Sequence, residues 1–113
     1  MNKSKNKFTI CENMTIRDAL LKIDFNQQRS LIVVDSDQKK VVGALSDGDI
    51  RKGLLNNILI DTQVKKVMNL DFIYILKDET VDYDELLDEK NIFLLPIIDK
   101  DFNLYDIHVK RFR

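Results

Sequence analysis

An internal duplication constrains the fold of this chain more than any other feature of its 113 residues. The segment LPIIDKD at residues 95–101 matches LIVVDSD at residues 31–37, about 64 positions earlier, almost residue for residue. Weaker matches keep nearly the same offset elsewhere in the chain. We therefore expect two copies of one structural unit, at residues 7–57 and 71–109, joined by a connector at residues 58–70.

Short polar segments flank the two copies. Residues 1–6 are expected to be disordered, and residues 110–113 are expected to lead out of the last strand toward a further domain. Neither copy alone has enough residues to bury its apolar strands on both faces. We therefore expect the two units to pack against each other through their small sheets.

Hydrophobic periodicity predicts the order strand, helix, strand, strand, helix (β-α-β-β-α) in the first copy, a fold of the α/β (α+β) class. The first helix opens with a capping box, because Thr15 and Asp18 stand three positions apart ahead of an apolar run. The predicted strands lie at residues 7–10, 30–34 and 41–45, and the second helix is predicted at residues 47–56.

The second copy is predicted to repeat this order without its last helix, because the sequence ends at Arg113. Its predicted strands lie at residues 71–75, 95–98 and 103–109, and its helix is predicted to open at Thr80 and to carry Leu86 and Leu87. Pro96 suits a strand start or an edge, since proline cannot donate a hydrogen bond to a neighbouring strand.

The connector is predicted to contain a short helical turn. Asp61 and Thr62 are placed to cap it, and Val64, Val67 and Met68 have the spacing to face the core. For Met68, packing in the core is favoured over a role as a soft ligand.

All three glycines fall within the stretch VVGALSDGDIRKGLL at residues 41–55, at positions 43, 48 and 53. Gly43 lies in a predicted strand and has no side chain, so another group can approach that strand closely. The strand is followed by a polar turn and the start of a helix. This stretch is therefore the candidate functional site.

Ser46 and Asp49 place a hydroxyl and a carboxylate three positions apart at the start of this helix, with Asp47 between them. Backbone N–H groups at a helix N-terminus favour an anionic group. The strand, the turn and the helix start could together hold a ribose phosphate.

The same two residues also fit a capping box, in which Ser46 and Asp49 only satisfy backbone groups. On spacing alone the cap is the more common explanation, and the two interpretations are compatible. Aligned on the first copy, the second copy places Asp106 at the position of Gly43, Val109 at that of Ser46 and Phe112 at that of Asp49. Only the first copy supplies the polar turn.

Composition excludes several classes of function. The net charge of −1 gives no basic field for nucleic acid or an acidic membrane, and no apolar run approaches the length of a bilayer span. The single cysteine, Cys11, cannot form an internal disulfide, which fits a reducing cytoplasm. The single histidine, His108, has no evident partners for a catalytic triad, and one His with one Cys makes a zinc site improbable. We expect no catalytic residues, and Asp47 and Asp49 are too few ligands for a metal-dependent enzyme.

With these motifs in view, residues 7–109 resemble a tandem pair of CBS domains, also called a Bateman module. The resemblance rests on TIRDAL at residues 15–20, VVGALSDGD at residues 41–49 and VKKVMN at residues 64–69. In that family a Gly-x-x-Ser/Thr-x-x-Asp pattern at the strand-to-helix turn marks a nucleotide site, and its counterparts here are Gly43, Ser46 and Asp49.

The resemblance implies a role for each site residue. The Asp49 carboxylate would take the ribose hydroxyls, Ser46 would meet the ribose or phosphate, and the strand near Ile10 would face the base. Arg51, one step along the helix, is a weaker candidate for the phosphate. The implied ligand is an adenine nucleotide such as AMP or ATP, or a nucleotide-sugar.

The turn SDGDIRK at residues 46–52 is similar to that of CBS pairs that precede a sugar-phosphate nucleotidyltransferase domain. The resemblance implies a non-catalytic regulatory domain of such an enzyme, without the catalytic domain, and a homodimer formed through the CBS units. The alternative is a dimerisation scaffold whose pocket has degenerated, which the loss of the motif in the second copy supports.

Overall fold

The computed structural model describes residues 3–111, so the expectations for residues 1–2 and 112–113, including Phe112, lie outside the described part of the chain. Two three-stranded sheets pack face to face, and helices cover their other faces. In chain order the elements are β1 Thr9–Cys11, α1 Ile16–Asn26, β2 Ser30–Val34, β3 Val41–Ser46, α2 Asp47–Leu55, β4 Ile75–Leu76, α3 Tyr83–Lys90, β5 Leu94–Ile98 and β6 Leu104–Val109. The predicted α+β class is confirmed.

The first sheet has the order β1-β2-β3, with β1 parallel to β2 and β2 antiparallel to β3. Parallel neighbours need a crossover connection, which α1 supplies. The predicted capping box opens α1: the Thr15 hydroxyl accepts the Asp18 N–H, and the Asp18 carboxylate accepts the Thr15 N–H. The core between this sheet and its helices consists of Ile10, Ile16, Ala19, Ile23, Leu31, Val33, Leu45, Ile50 and Val64.

The second sheet, β4-β5-β6, repeats the same pairing pattern. Its own helix-facing core is smaller and consists of Ile75, Leu87 and Leu95. Pro96 lies in the central strand β5, where the sequence suggested a strand start or an edge. This position is tolerated because β4 pairs only with Ile97 and Ile98 and does not reach Pro96.

The two units share a third apolar cluster between their sheets, as predicted. Its buried members are Phe8, Ile32 and Val41 from the first unit and Leu94, Ile98 and Ile107 from the second. Backbone hydrogen bonds also join the β3 and β6 ends of the sheets. The Val41 N–H donates to Phe102 O at 2.9 Å, and the Leu104 N–H donates to Lys39 O at 2.8 Å.

The segment before β1 differs from its expectation, because Lys3–Phe8 is a 3-10 helix rather than a disordered segment. Side chains of α1 hold its carbonyls: Lys22 Nζ donates to Asn6 O at 3.0 Å, and Asn26 Nδ2 donates to Lys7 O at 2.9 Å. Burial at this junction lowers the pKa of Lys22. These bonds, with Phe8 buried between the sheets, offset the entropy lost when the segment is ordered.

Two predicted boundaries in the second unit are wrong. β4 begins only at Ile75, because Asn69 holds the start of the expected strand in a turn, with its Oδ1 accepting the Asp71 N–H at 2.9 Å. The helix begins after Asp82 rather than at Thr80, because the Asp82 carboxylate caps it by accepting the Glu85 N–H at 3.0 Å. The aspartate is thus the N-cap, three residues before an acidic residue.

The connector contains the predicted short helical turn, Val64–Lys66, but Asp61 and Thr62 do not cap it. They serve α1 instead. Thr62 O accepts the Ile16 N–H at 2.9 Å, and Asp61 pairs with Arg17 at 3.2 Å. The connector therefore satisfies free amides at the N-terminus of α1, which is an alternative to a side-chain cap.

Candidate functional site

A cleft of about 260 Å³ opens between the two units. The first unit contributes β2, β3 and the start of α2, including Ala44, Ser46 and Asp49. The second unit contributes the segment between α3 and β5, including Asn91 and Phe93. A molecule bound there would contact both copies of the repeat.

The Ser46 and Asp49 side chains make the predicted capping box. The Ser46 hydroxyl accepts the Asp49 N–H at 3.0 Å, and Asp49 Oδ2 accepts the Ser46 N–H at 3.0 Å. A hydroxyl that accepts still has a proton to donate, and a carboxylate has a second oxygen. Both residues are half-buried on the wall of the cleft, so the cap leaves polar atoms available to a ligand.

Three other predicted site residues do not line this cleft. Asp47 is exposed, and its N–H donates to Arg29 O at 3.0 Å. Ile10 is only 1% exposed and packs in the core between the first sheet and the helices, together with its register partner Val33. Arg51 is exposed on α2, with its guanidinium above the first turn: Nη2 lies 3.6 Å from where a Cβ on Gly48 would stand.

Gly43 does admit a close neighbour, and that neighbour is the connector of this chain. A Cβ at Gly43 would lie 2.8 Å from Met68 Sδ and 3.2 Å from Asn69 O. The missing side chain lets the connector reach the edge of β3, where Ala44 and Asn69 exchange backbone hydrogen bonds of 3.0 and 2.7 Å. Gly43 therefore shapes the cleft indirectly, since Ala44 and Asn69 both line it.

Sequence reasoning missed the wall of the cleft that comes from the second unit. Asn91 ends α3 in the left-handed conformation, with φ 54°, and turns the chain toward Phe93. Two contacts with Lys110 hold Phe93 in place. The Phe93 carbonyl accepts the Lys110 N–H at 2.8 Å, and Lys110 Nζ lies 5.4 Å from the centroid of the Phe93 ring. Lys110 also pairs with Asp88 at 3.3 Å. The internal repeat predicts two sheets that adjoin, but it does not predict which loop closes the cleft.

Strand register supports the predicted alignment of the two copies. Gly43 pairs with Val33, and Asp106 pairs with Ile97; Ser46 pairs with Ser30, and Val109 pairs with Leu94. The second unit therefore carries an apolar residue, Val109, where the first has the Ser46 hydroxyl.

Other kinds of site have little support in the described part of the chain. Within residues 3–111, no group of three or more His, Cys, Asp and Glu side chains is arranged to hold a metal ion. None of the helices in that range combines the length and apolar character needed to cross a membrane. Cys11 is a half-buried free thiol.

Comparison with known proteins identifies the repeated unit. Residues 3–56 match the family model of the CBS domain. The chain is 33% identical over 101 residues to an uncharacterized 17.7 kDa protein of Acidianus ambivalens, covering 88% of this chain and 60% of that protein. It spans between 18% and 60% of the length of the curated relatives it matches.

Solved structures extend the match to both units. The CBS domain pair of protein MJ0100, in complex with 5′-methylthioadenosine and S-adenosyl-L-methionine, superposes with a TM-score of 0.70 at 25% identity, covering 90% of this chain and 80% of that one. A CBS domain protein from Pyrobaculum aerophilum complexed with AMP superposes with a TM-score of 0.72 at 20% identity, covering 89% and 78%. The first unit therefore matches the CBS domain, and the two units together have the fold of a CBS domain pair.

Proposed function

We propose that the cleft between the two units binds a nucleotide and that this CBS pair is a non-catalytic regulatory module. The observation that carries the proposal is the composition of the cleft, which combines Ser46 and Asp49 of the first unit with Phe93 of the second. A ligand that contacts both units binds with an affinity that depends on how they pack. Such differential affinity is the requirement for regulation by a ligand.

The available atoms suit a ribose phosphate. The free oxygen of the Asp49 carboxylate would accept hydrogen bonds from ribose hydroxyls, and the Ser46 hydroxyl would donate to the ribose or the phosphate. Arg51 is placed to meet a phosphate that leaves the cleft over the Gly48 turn, since both its Nη2 and Ser46 Oγ lie within 3.6 Å of the Cβ position of Gly48. The apolar part of the wall, including Ala44 and Phe93, would contact the base.

The size of the cleft favours a mononucleotide. Small-molecule sites span roughly 300–1,000 Å³, and 260 Å³ lies just below the lower end of that range. We therefore propose AMP, or the nucleoside part of ATP or of a nucleotide-sugar, as the ligand. The complexes of the Pyrobaculum aerophilum protein with AMP and of the MJ0100 pair with adenosine derivatives support this choice.

The setting of the module is also part of the proposal. The similarity of the turn at residues 46–52 to that of CBS pairs that precede a sugar-phosphate nucleotidyltransferase domain supports attachment to such an enzyme, and the single cysteine fits a cytoplasmic setting. The neighbouring helices α1 and α2 leave large apolar side chains in solvent: Leu21 is 66% exposed, Phe25 75% and Leu55 76%. Burial of these side chains against a second copy would drive formation of a homodimer.

A dimerisation scaffold without a ligand is the second candidate. The observation that favours it is the capping box itself, because helix capping alone accounts for the positions of Ser46 and Asp49. This candidate predicts the same homodimer and no response of the protein to nucleotides.

Titration calorimetry with AMP distinguishes the two candidates. Asp49→Ala should weaken AMP binding about tenfold to a hundredfold, because it removes hydrogen bonds to a charged acceptor. Asp18→Ala is the matched control, since Asp18 makes the same capping box on α1 and does not line the cleft. Equal loss of binding in both variants would point to a general effect on folding.

Thermal unfolding with a wider set of nucleotides completes the test. A ligand at a hundred times its dissociation constant adds about 2.7 kcal/mol to the stability of the folded state. If AMP, ADP, ATP, GTP, CTP and CMP-sugars all leave the wild-type melting temperature unchanged at millimolar concentration, the scaffold is the better description.

A further inference from the structure

The helices α1 and α3 occupy the same place in the two units, because each connects the two parallel strands of its sheet. Each is followed by a residue in the left-handed conformation, Gln27 with φ 58° and Asn91 with φ 54°. In both units the next strand begins three residues after that residue. The buried side chains of Ile23 and Leu87 then fall at the same position of the two helices.

The solvent-facing sides of these two helices differ. Leu21 and Phe25 are one helical turn apart on α1, and both are exposed. The residues at the same positions of α3 are Glu85 and Glu89, which are also exposed. Since residues four apart lie on one face of a helix, α1 presents a pair of apolar side chains where α3 presents two carboxylates.

The second unit shows that this fold accepts polar side chains at both positions. Leu21 and Phe25 are 66% and 75% exposed, so they contribute little to the core of the first unit. Large apolar side chains that remain together in solvent indicate a surface for a partner. The requirement for Leu21 and Phe25 therefore comes from outside the unit that carries them.

The charges on the two helices favour α1 of a second copy as that partner. On α1 two basic residues, Arg17 and Lys22, balance two aspartates, so two α1 helices do not repel each other. α3 carries four acidic residues against a single lysine. Packing α1 of one copy on α3 of another would take the carboxylates of Glu85 and Glu89 out of water and place them against apolar side chains, which is costly.

We propose that the homodimer forms head to head, first unit against first unit, with the Leu21 and Phe25 face of α1 packed on the same face of α1 in the second copy. This inference rests on the homodimer of the proposed function and adds which surface forms it. The two-fold axis passes between the two side chains and across the helices. Leu21 of one copy then meets Phe25 of the other, and the reverse, while α3 stays outside this contact.

Two double variants of α1 test this contact by sedimentation. Leu21→Glu with Phe25→Glu, and Leu21→Lys with Phe25→Lys, each bring four like charges together. Each should therefore sediment as a monomer at concentrations where the wild type is a dimer. An equimolar mixture at low salt should form mixed dimers, because lysines on one α1 then face glutamates on the other. Circular dichroism should show the wild-type helical content, since both side chains are exposed.

A contact between α1 and α3 would give a different result. The lysine variant alone would then remain a dimer, since its lysines would meet Glu85 and Glu89 of the other copy. Glu85→Gln with Glu89→Gln is the matched control on α3 and should keep the wild-type mass. A dimeric lysine variant, or a mixture that stays monomeric, contradicts the head-to-head contact.

Failure of this contact can be told apart from failure of the proposed function. A monomeric wild type contradicts the homodimer itself, and the contact with it. A dimeric wild type whose mass is unchanged in both double variants contradicts only the contact through α1. Binding of AMP is measured separately by calorimetry, because Leu21 and Phe25 do not line the cleft.

Discussion

The side chains of Ser46 and Asp49 each accept a hydrogen bond from the backbone N–H of the other residue, at 3.0 Å in both cases. Thr15 and Asp18 repeat this reciprocal arrangement at the start of α1, at 3.2 and 3.1 Å. The same kind of capping box therefore begins both helices of the first unit, and only the one at α2 lines the cleft.

Ser46→Ala and Thr15→Ala should each lower the free energy of unfolding by about 1 kcal/mol, because each leaves a helix amide without its acceptor. Urea denaturation measures the loss. Ser46→Asn retains a capping side chain and should cost much less. A Ser46→Ala protein as stable as the wild type would mean that α2 does not depend on its cap.

Gly43→Ala and Gly48→Ala should change stability in opposite directions. At Gly43 the new Cβ meets Met68 Sδ at 2.8 Å and backbone Asn69 O at 3.2 Å, so overpacking should cost about 1–3 kcal/mol. At Gly48 the nearest atoms are 3.5 Å away, and alanine in a helix is favoured over glycine by about 0.5 kcal/mol or more. Thermal unfolding of the two variants checks the signs, and a stable Gly43→Ala would show that the connector can move away from β3.

Gln28→Met should raise stability. Gln28 Oε1 is buried and has no hydrogen-bond partner among the described residues, and an unsatisfied buried acceptor costs about 1–3 kcal/mol. Methionine keeps a similar volume without that acceptor. Gln27→Met at the exposed neighbouring position should change stability by less than about 0.5 kcal/mol in urea denaturation. A loss of stability in Gln28→Met would indicate that a water molecule satisfies this oxygen.

Asp35 should contribute to acid sensitivity. The Lys39 N–H donates to its carboxylate at 3.0 Å and, with the Lys40 N–H, lowers the pKa of Asp35 below its ordinary value of 3.8. The Asp35 carboxylate therefore binds a proton more readily in the unfolded chain than in the folded one. Its contribution to the free energy of unfolding is complete above pH 3.8 and is lost as the pH falls through the folded-state pKa. Urea denaturation from about pH 5 downward should show a steeper loss for the wild type than for Asp35→Asn. Parallel curves would contradict this assignment.

The first unit could be predicted closely from the sequence because its signals are local and agree with one another. Residues 31–34 are an uninterrupted apolar run, and β2 has the expected bounds, Ser30–Val34. Thr15 and Asp18 marked the start of α1 because a capping box is a property of four consecutive residues.

The second unit was predicted less well because competing local contacts decide its boundaries. Thr80 resembles Thr15 in the repeat, but Asp82 is the residue that caps α3. The strand expected from residue 71 starts four residues later, since Asn69 binds the Asp71 amide. Asp61 was expected to cap the connector turn, and it pairs with Arg17 instead.

The candidate site shows the limit of local patterns most clearly. Ser46 and Asp49 could be named from their spacing, whereas Phe93 reaches the cleft only because the two sheets pack face to face. Ile10 was expected near the base, and it packs in the core of the first unit instead. Which side of a sheet a residue meets depends on tertiary packing, which spacing along one strand does not encode.

The unequal cores of the two units also bear on how the chain folds. Among the described residues, the core of the first unit has nine buried members, of which Val64 comes from the connector; the core of the second has three, and six more lie between the units. The second half of the chain must therefore obtain much of its stabilisation from the exposed sheet of the first. The amino-terminal half, made first on the ribosome, can serve as the template on which the later half acquires its structure.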